Sequence, residues 1–507
     1  MIPGIGSWLT KRAILTPDKE AVVDGEKRLA YKDLNGRVNR LSRALKGIGI
    51  RSGDRLSILS VNCVEYVETI MAAAKLGAIL VPLNWRLTPT ELAFIIEDSG
   101  AETLLFHPDL LETANGLRDR AGLKHLVVIG REEMGGAEAY EQLLEPQTDD
   151  EPIPDTTPDL DTPHIIMYTA GTTGQPKGAV LTQGASFWNA VNLTVAMDFT
   201  SHDRNLAVLP MFHIGGIGLF TLPMLYLGGT VVIQRTFEPA RALELLEDED
   251  ITLFFGVAAI FLFLIQHPRF KGEVFQKVRV VMSGGAPLPV SLVHQYQDAG
   301  IMLQQGFGMS EAAPSIATLS KDLAVQKAGS IGKALMHLEA KVVDDQMNEM
   351  LPEKVGELVI RGPNLMQGYW NRAEATKEAF RGGWFHTGDL ARMDPEGDFY
   401  IVDRKKDMFI SGGENVYPAE VENAIYELPQ VLEAAVIGVK DEKWGEVGMA
   451  VVVVKEEESL TGEAVSAHLK GRLAKYKIPK SVVFTDSLPR NAAGKVLKNV
   501  LRETYSQ

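Results

Sequence analysis

The sequence predicts an α/β protein with largely parallel sheets, divided into a large N-terminal domain and a small C-terminal domain. Amphipathic helical stretches, such as residues 31–48 and 64–75, alternate with short apolar strands. That alternation is typical of parallel βαβ units. The 507 residues are enough for two or more domains, and the pattern of the chain changes after Lys341.

The predicted elements follow in chain order. Before Lys341, strand patterns occur at 164–169, 205–209, 230–233, 252–255, 279–282 and 301–304. After it, strands at 356–361 and 398–402 come with polar turns, and then a charged stretch at 403–407 interrupts the pattern. Beyond it lie further strands at 434–439, 449–455 and 481–485. This last part is long enough for a small domain, so we predict domains 1–403 and 404–507 with a hinge near 404–407.

The composition narrows the class of protein. A net charge of −15 argues against nucleic acid as a partner, because a phosphate backbone requires a basic face. The single cysteine, Cys63, excludes a disulfide within the chain and makes a thiolate zinc site improbable. These features predict a cytoplasmic enzyme.

The sequence predicts no transmembrane segment. The most apolar run, 253–265, has thirteen residues, fewer than the roughly 20 that span a bilayer. It is expected to be a buried core segment, and a wall of an apolar substrate pocket is compatible with that burial. Residues 147–163 are acidic and rich in Pro and Thr, which predicts a solvated connector. Peripheral membrane contact and a homodimer both stay open.

A segment rich in glycine, threonine and lysine follows the predicted strand at 164–169. Glycine allows a ligand to approach the backbone, threonine donates hydrogen bonds and lysine adds a charge, so the composition suits phosphate. The segment is not a Walker loop, because Lys177 is followed by Gly178 instead of Ser or Thr. Taken alone, such a loop is as often a surface turn as a ligand site.

Four other motifs carry polar groups that suit a nucleotide. Residues 305–311 (QGFGMSE) combine glycines, an aromatic ring, a hydroxyl and a carboxylate suited to Mg²⁺. Asp389 in WFHTGD and Arg404 in VDRKKD could both reach a ribose, and Lys495 lies in a glycine-containing loop near the C-terminus. In isolation, residues 305–311 are compatible with a strand-to-loop turn and Arg404 with a boundary charge. Asp389 alone is better explained by a tight turn, and the Lys495 motif alone predicts almost nothing.

Together, the motifs resemble those of the acyl-adenylate-forming superfamily. The segments that carry the resemblance are YTAGTTGQPKG, LPMFHIGG, SGGAPL, QGFGMSE, WFHTGD and FISGGENVYPAEVE. The superfamily includes acyl-CoA synthetases, aryl-CoA ligases, firefly luciferase and peptide-synthetase adenylation domains. The chain looks most like bacterial fatty-acyl-CoA and aryl-CoA ligases over nearly its whole length. Two small departures are Ala170, where serine is usual, and Ser310, where threonine is frequent.

The resemblance implies a fold and a reaction. The fold would be a large domain of layered αβα sheets with a small distorted β-barrel, followed by a small mobile α+β domain. In the reaction, a carboxylate attacks ATP to form acyl-AMP, and coenzyme A then takes the acyl group and releases AMP. Two anions meet in the first step, so cations must screen them. The implied cations are Mg²⁺, held by Glu311, and Lys495.

The resemblance also assigns site residues by position. His213 would stand at the carboxylate end of an acid pocket whose other walls are Gly215, Gly284, Gly308, Ala312 and Ala313. The implied ATP and AMP contacts are Thr169, Gly171, Thr172, Thr173, Gly174, Lys177, Gly285, Ala286, Gln305, Gly306, Phe307, Gly308, Ser310, Asp389 and Arg404. The small domain would rotate about Lys406. The implied coenzyme A face is Ser411, Gly412, Gly413 and Glu414.

The identity of the acid is predicted less directly. Hydroxycinnamate ligases commonly carry a tyrosine where this chain has Gly215, so that partner for a phenol is missing. The apolar run 253–265 and the small Ala312 and Ala313 favour a medium- or long-chain fatty acid. An aryl acid of the benzoate or cinnamate type is the alternative. A catalytically inactive nucleotide-binding protein is a third hypothesis, although such a protein would be expected to lose Lys495, Glu311 or Asp389.

Overall fold

A computed structural model of the chain describes residues 3–169, 176–286, 288–441, 443–456, 458–490 and 496–505. The predicted site residues that lie outside these ranges are Gly171, Thr172, Thr173, Gly174 and Lys495. None of the helices in the described ranges is long and apolar enough to cross a membrane.

The described strands, in chain order, are β1 (Glu20–Asp24), β2 (Lys27–Ala30), β3 (Arg55–Leu59), β4 (Ile79–Leu83), β5 (Thr103–Phe106), β6 (His125–Val128), β7 (Glu138–Ala139), β8 (Pro163–Thr169), β9 (Lys177–Thr182), β10 (Arg204–Ala207), β11 (Thr230–Ile233), β12 (Leu253–Gly256), β13 (Val280–Ser283), β14 (Leu303–Gly308), β15 (Ser315–Thr318), β16 (Lys333–Ala334), β17 (Glu339–Val343), β18 (Gly356–Arg361), β19 (Gly368–Tyr369), β20 (Phe385–Met393), β21 (Phe399–Arg404), β22 (Phe409–Ser411), β23 (Glu414–Val416), β24 (Val431–Asp441), β25 (Gly445–Val454) and β26 (Ser481–Phe484).

The described α-helices are α1 (Ser7–Leu15), α2 (Tyr31–Gly47), α3 (Val64–Leu76), α4 (Pro89–Ser99), α5 (Leu111–Ala121), α6 (Tyr140–Leu144), α7 (Gln183–Met197), α8 (Thr221–Leu227), α9 (Pro239–Asp248), α10 (Ala258–Gln266), α11 (Val290–Asp298), α12 (Ala373–Ala379), α13 (Pro418–Tyr426), α14 (Gly462–Leu469) and α15 (Lys498–Tyr505).

Helix α4 shows how local sequence sets the ends of an element. Thr88 and Glu91 form a reciprocal capping box at its start, and Pro89 occupies the first helical turn. Gly100 ends the helix in the left-handed conformation, at φ 68°. These residues fix where the chain leaves β4 and turns back along the sheet.

Two large sheets form the N-terminal part. Within the described residues, the first has nine strands in the order β16-β15-β14-β13-β12-β10-β11-β1-β2, and the second has eight in the order β19-β9-β8-β4-β3-β5-β6-β7. From β14 to β1 and from β8 to β7, neighbouring strands run parallel. This confirms the predicted α/β class, and it puts the carboxyl ends of neighbouring strands at one edge, where ligands bind in open sheets.

Helices cover both faces of each large sheet. One hydrophobic cluster joins the two sheets through α2, α3, α7 and α8. A second packs α9, α10 and α11 against the far face of the nine-stranded sheet, and a third packs α4 and α5 against the far face of the eight-stranded sheet. The layers therefore alternate between helix and sheet, as the sequence resemblance implies.

Two smaller sheets complete the fold. Strands β17, β18, β20 and β21 form an antiparallel sheet in the region that the resemblance assigns to a small barrel. Strands β22 to β26 form another sheet, and the clusters packed on it contain only residues from 409 onwards. The C-terminal part therefore has its own core. The predicted boundary between 403 and 404 falls at the end of β21 and stays a prediction.

The acidic connector lies on the surface, whereas most of the apolar run lies in the core, as its composition predicts. The acidic connector is held against α2 and α3: the buried Lys75 of α3 donates to Glu151 Oε2 at 2.6 Å, and Asn39 of α2 donates to the carbonyl of Asp149. All residues of the connector nevertheless stay exposed or half-buried, in agreement with the predicted solvated connector. The apolar run 253–265 forms β12 and most of α10, with the rings of Phe254 and Phe261 in edge contact in the core.

Candidate active site

The predicted phosphate loop connects two antiparallel strands. Thr169 ends β8 and Lys177 begins β9, and the two are register partners. The hydroxyl of Thr169 donates to the carbonyl of Lys177 at 3.4 Å. The ammonium of Lys177 lies 5.4 Å from the centre of the Tyr369 ring, in a cation–π contact. Thr169 and Lys177, the two described residues to which the resemblance assigns ATP contacts in this motif, are therefore held at the base of the loop.

Glu311 lies in a short 3₁₀ turn, Ser310–Ala312, and is buried. The Tyr369 hydroxyl donates to Glu311 Oε1 at 2.9 Å, and the Met366 amide donates to the Glu311 carbonyl at 2.7 Å. Burial and the Glu311 carboxylate both raise the pKa of Tyr369, so its hydroxyl stays a donor. Sequence reasoning missed Tyr369, because its partner is 58 residues away in the chain.

A magnesium ion is chemically compatible with Glu311. A carboxylate oxygen is a hard ligand of the kind that Mg²⁺ prefers. The described residues include no group of three or more His, Cys, Asp or Glu side chains that could hold a metal alone. Mg²⁺ at nucleotide sites is usually bound by one or two carboxylates together with the phosphates of the substrate, and a single buried carboxylate suits that arrangement.

Asp389 and Arg404 face each other across β20 and β21. Arg404 Nε lies 2.6 Å from Asp389 Oδ1. The Asp389 side chain is buried, whereas 41% of the Arg404 side chain is exposed. The pair therefore presents a fixed carboxylate beside an accessible cation, which suits a ligand with neighbouring hydroxyls.

His213 precedes a π-helical turn, Gly215–Leu219, which leads into α8. The Gly215 amide donates to His213 Nδ1 at 3.1 Å. Because Nδ1 accepts this bond, the neutral ring carries its proton on Nε2 and has a donor there. Such π turns often mark functional sites.

Glycines allow this turn to pack closely on its neighbours. A Cβ at Gly216 would lie 2.3 Å from the Pro210 carbonyl oxygen, and one at Gly218 would lie 2.8 Å from that of Ala313. The π turn therefore contacts the segment that contains Ala312 and Ala313, both buried.

Two buried asparagines, which sequence reasoning also missed, hold these walls together. Asn189 on α7 donates to the carbonyl of Gly218 at 2.7 Å and accepts from the amide of Ser315 at 3.1 Å. Asn364 donates to the carbonyls of Ala312 and Ser315. The π turn and the 312–315 segment are thus joined through side-chain amides. Neither asparagine belongs to a periodic pattern or a motif that could have predicted this.

The predicted adenine and acid walls lie at the ends of β13 and β14. Gln305, Gly306, Phe307 and Gly308 belong to β14, so the strand predicted to end at 304 continues to 308. Gly285, at φ +78°, and Ala286 follow β13. A Cβ at Gly284 would lie 2.9 Å from the Gly306 carbonyl oxygen and 3.0 Å from the Phe255 ring.

Two polar side chains at this edge have no partner within the described ranges. Ser283 and Gln305 are register partners on β13 and β14. Their Oγ and Oε1 atoms are buried, and no hydrogen bond to either is found in the described part of the chain. Buried polar atoms normally have partners, so a polar ligand at this edge would explain them.

The predicted hinge and coenzyme A face lie in the C-terminal part. Lys406 is exposed. Gly412 and Gly413 have φ of 62° and 88° and form the two-residue turn of a hairpin in which Ser411 pairs with Glu414. A Cβ at Gly412 would lie 2.7 Å from the Trp444 ring. Trp444 is 43% exposed and has Lys443 and Lys480 close to its ring, a further feature that the sequence did not predict.

Two family models match the chain. The model described as "AMP-binding enzyme" matches residues 9–370, and "AMP-binding enzyme C-terminal domain" matches residues 420–495.

Curated relatives cover almost the whole chain. A feruloyl-CoA synthase from Amycolatopsis sp is 43% identical over 99% of this chain and 99% of its own length. An indoleacetate–CoA ligase from Aromatoleum aromaticum is 40% identical over 99% of this chain and 98% of its own. A long-chain-fatty-acid–CoA ligase from Mycobacterium tuberculosis is 38% identical with the same coverage.

Solved structures show the same architecture. ATP-bound MatB from Rhodopseudomonas palustris aligns with a TM-score of 0.92 at 31% identity, over 100% of this chain and 99% of that one. The o-succinylbenzoate CoA synthetase MenE from Bacillus subtilis, in complex with the acyl-adenylate intermediate OSB-AMP, aligns at 0.88 and 33% identity, over 99% and 98%.

Proposed function

We propose, given that the chain belongs to the AMP-binding enzyme family, that it converts an aromatic carboxylic acid into its coenzyme A thioester through an acyl-AMP. Its activity as an AMP-forming CoA ligase follows from the family and the relatives. ATP and coenzyme A are its substrates.

In the first step, the acid carboxylate attacks the α-phosphorus of ATP and pyrophosphate leaves. Thr169 and Lys177 fix the base of the loop that would hold the phosphates, and Glu311 would hold Mg²⁺ beside them. When bound, Mg²⁺ would neutralise phosphate charge. Lys495 would add a second cation near the carboxylate. Such reactions depend on positioning and charge stabilisation more than on covalent help from the enzyme.

His213 would orient the acid. Its Nδ1 is occupied by the Gly215 amide, so Nε2 has the proton and can donate to one carboxylate oxygen. Such a donor would orient the carboxylate and leave its other oxygen nucleophilic. Asp389 and Arg404 would bind the ribose hydroxyls through the carboxylate and guanidinium that face each other on β20 and β21.

In the second step, the coenzyme A thiol attacks the carbonyl of acyl-AMP, and AMP leaves. Rotation about Lys406 would bring the Ser411–Glu414 hairpin to the acid pocket. Its two-glycine turn has no side chains to obstruct a narrow thiol arm. The adjacent Trp444 ring, with Lys443 and Lys480 beside it, suits a base and its phosphates.

The relatives favour an aromatic acid over the fatty acid that the sequence suggested. Those named for feruloyl-CoA and indoleacetate are 43% and 40% identical to the chain over 99% of its length. The relative named for long-chain fatty acids is 38% identical over the same share.

A fatty acid is the second candidate. A Cβ at Gly215 would contact the aliphatic Leu209 and Leu219, and one relative is named as a long-chain-fatty-acid–CoA ligase. The test is a panel of benzoate, cinnamate, ferulate, indoleacetate, octanoate and palmitate, scored by kcat/KM for pyrophosphate release. The proposal expects the aromatic acids to rank first. A higher rank for octanoate or palmitate would contradict it, and no acid-dependent release would indicate the inactive nucleotide-binding protein.

A further inference from the structure

We infer that Tyr369 is a positioning residue for the nucleotide, holding the Lys177 ammonium and the Glu311 carboxylate in place with two parts of one side chain. The inference rests on the proposed function, because it takes ATP with a divalent metal as the ligand. It assigns a role to a residue outside the motifs that identify the site.

The side-chain geometry gives each part of Tyr369 a different partner. The Lys177 ammonium lies over the ring, 5.4 Å from its centre, and the hydroxyl donates to Glu311 Oε1 at 2.9 Å. Neither Lys177 nor Glu311 forms an ion pair with any residue in the described ranges. Tyr369 therefore contacts a cation and an anion that form no ion pair with the described part of the chain, so both remain for ligands of opposite charge.

The backbone fixes Tyr369 as firmly as its side chain. It belongs to β19, which pairs with β9 directly after Lys177, and Tyr369 is the register partner of Ala179. Its amide donates to Thr376 Oγ1 at 2.9 Å, and the Trp370 amide donates to the Gly178 carbonyl at 2.7 Å. The same segment reaches Glu311 through the Met366 amide. The backbone that carries the Tyr369 ring is therefore hydrogen-bonded to the segments that contain Lys177 and Glu311.

Removal of the hydroxyl and removal of the ring should have different effects on ATP binding. A hydrogen bond to Oε1 restricts rotation of the carboxylate and directs its other oxygen away from the tyrosine, so the hydroxyl acts on the metal-dependent part of ATP binding. The ring face restricts the lysine, so it acts on phosphate binding whether or not a metal is present. Removing the two parts separately distinguishes them.

The experiment measures ATP affinity by calorimetry with Mn²⁺ and, separately, in EDTA, for the full chain. Tyr369→Phe keeps the ring, so we expect about tenfold weaker binding of Mn²⁺·ATP and metal-free affinity within about twofold of the parent. Tyr369→Leu also removes the ring and should weaken metal-free binding about fivefold. The electron paramagnetic resonance spectrum of the bound Mn²⁺ should change in both variants.

The matched control is Tyr140→Phe, which removes a buried hydroxyl that donates to Glu68, far along the chain from either motif. The ratio of the Mn²⁺·ATP affinity to the metal-free ATP affinity does not depend on the fraction of folded protein, so partial unfolding cannot produce the same result. If Tyr369→Phe has the same ratio as the parent and Tyr140→Phe, the hydroxyl has no positioning role and the inference is overturned. Unchanged metal-free binding in Tyr369→Leu would overturn the role of the ring. The proposed function is tested by a separate assay: it fails if the parent shows no acid-dependent release of pyrophosphate.

Discussion

Gly215 is the position at which a single added side chain should change which acids are accepted. A Cβ there would lie 3.3 Å from His213 Nδ1, 3.4 Å from Leu209 Cδ1 and 3.5 Å from Leu219 Cδ1. These are close contacts with side chains, not with backbone, so Gly215→Ala should fold. The added methyl group would occupy space beside His213 that the proposal gives to the acid.

The size of the effect on kcat/KM follows from the volume of the added methyl group. One methylene in a hydrophobic pocket changes discrimination by about 1–3 kcal/mol, or roughly 10–200-fold in kcat/KM. Gly215→Ala should therefore lower kcat/KM by at least about tenfold for acids that fill the space, and little for the smallest acids. Gly215→Trp should go further and shorten the longest accepted acid. Affinity for ATP should change little in either variant, since no nucleotide contact is assigned to this position.

The assay is kcat/KM for pyrophosphate release across acids of increasing size, with ATP affinity measured alongside. Gly116→Ala is a matched control, because a Cβ at that helical position would meet open space. Gly216→Ala is the opposite control: its Cβ would lie 2.3 Å from the Pro210 carbonyl, so it should lower the melting temperature and impair all acids equally. If Gly215→Trp accepts the largest acids as well as the parent does, Gly215 does not face the acid and the pocket must be reassigned.

Three other predictions test separate parts of the account. Glu311→Gln keeps an acceptor for Tyr369 but removes the charge, so it should fold and should need at least about tenfold more Mg²⁺ for half-maximal adenylation; an unchanged requirement would refute the metal role. Lys495→Ala should slow acyl-AMP formation at least roughly a hundredfold while preformed acyl-AMP and coenzyme A still react at nearly the parent rate, and equal loss in both half-reactions would contradict a part in the first step alone. Burial lowers the pKa of His164 from 6.5 to about 4. Below pH 6.5, His164 therefore gains a proton in the unfolded chain but not in the folded protein. The free energy of unfolding decreases as the pH falls toward 4, and at pH 5 it is about 2 kcal/mol lower than at pH 7. Denaturant titrations at pH 7 and 5 should show a smaller decrease in the free energy of unfolding for His164→Gln than for the parent. Equal decreases in both proteins would refute His164 as the origin of this pH dependence.

The parts of the fold that repeat locally could be predicted from the sequence. The strands predicted at 230–233 and 356–361 have those bounds in the structure, because their apolar patterns are short and end in turn residues. The alternation of such strands with amphipathic helices gave the parallel sheets. Strand β14 runs beyond its predicted end because glycines at 306 and 308, which suggested a loop, allow close backbone packing inside the strand.

The contacts that organise the site could not be predicted in this way. Tyr369 reaches Glu311 over 58 residues, and Asn189 reaches Gly218 over 29. A hydrogen bond between distant segments leaves no period in the sequence, since each partner is one polar residue in an otherwise ordinary stretch. The connector at 147–163 shows the same limit, because its acidic residues are held by basic and amide side chains of α2 and α3 that only the fold brings near.

The most direct test of the central claim follows the oxygen atoms of the acid. An aromatic acid labelled with ¹⁸O in both carboxylate oxygens is incubated with the protein, ATP, Mg²⁺ and coenzyme A, and the products are analysed by mass spectrometry. If the carboxylate attacks the α-phosphorus, one ¹⁸O must leave with AMP while the other stays in the thioester carbonyl. The account predicts one labelled oxygen in AMP for each thioester formed. Label in inorganic phosphate or pyrophosphate, or a thioester formed with unlabelled AMP, would contradict it.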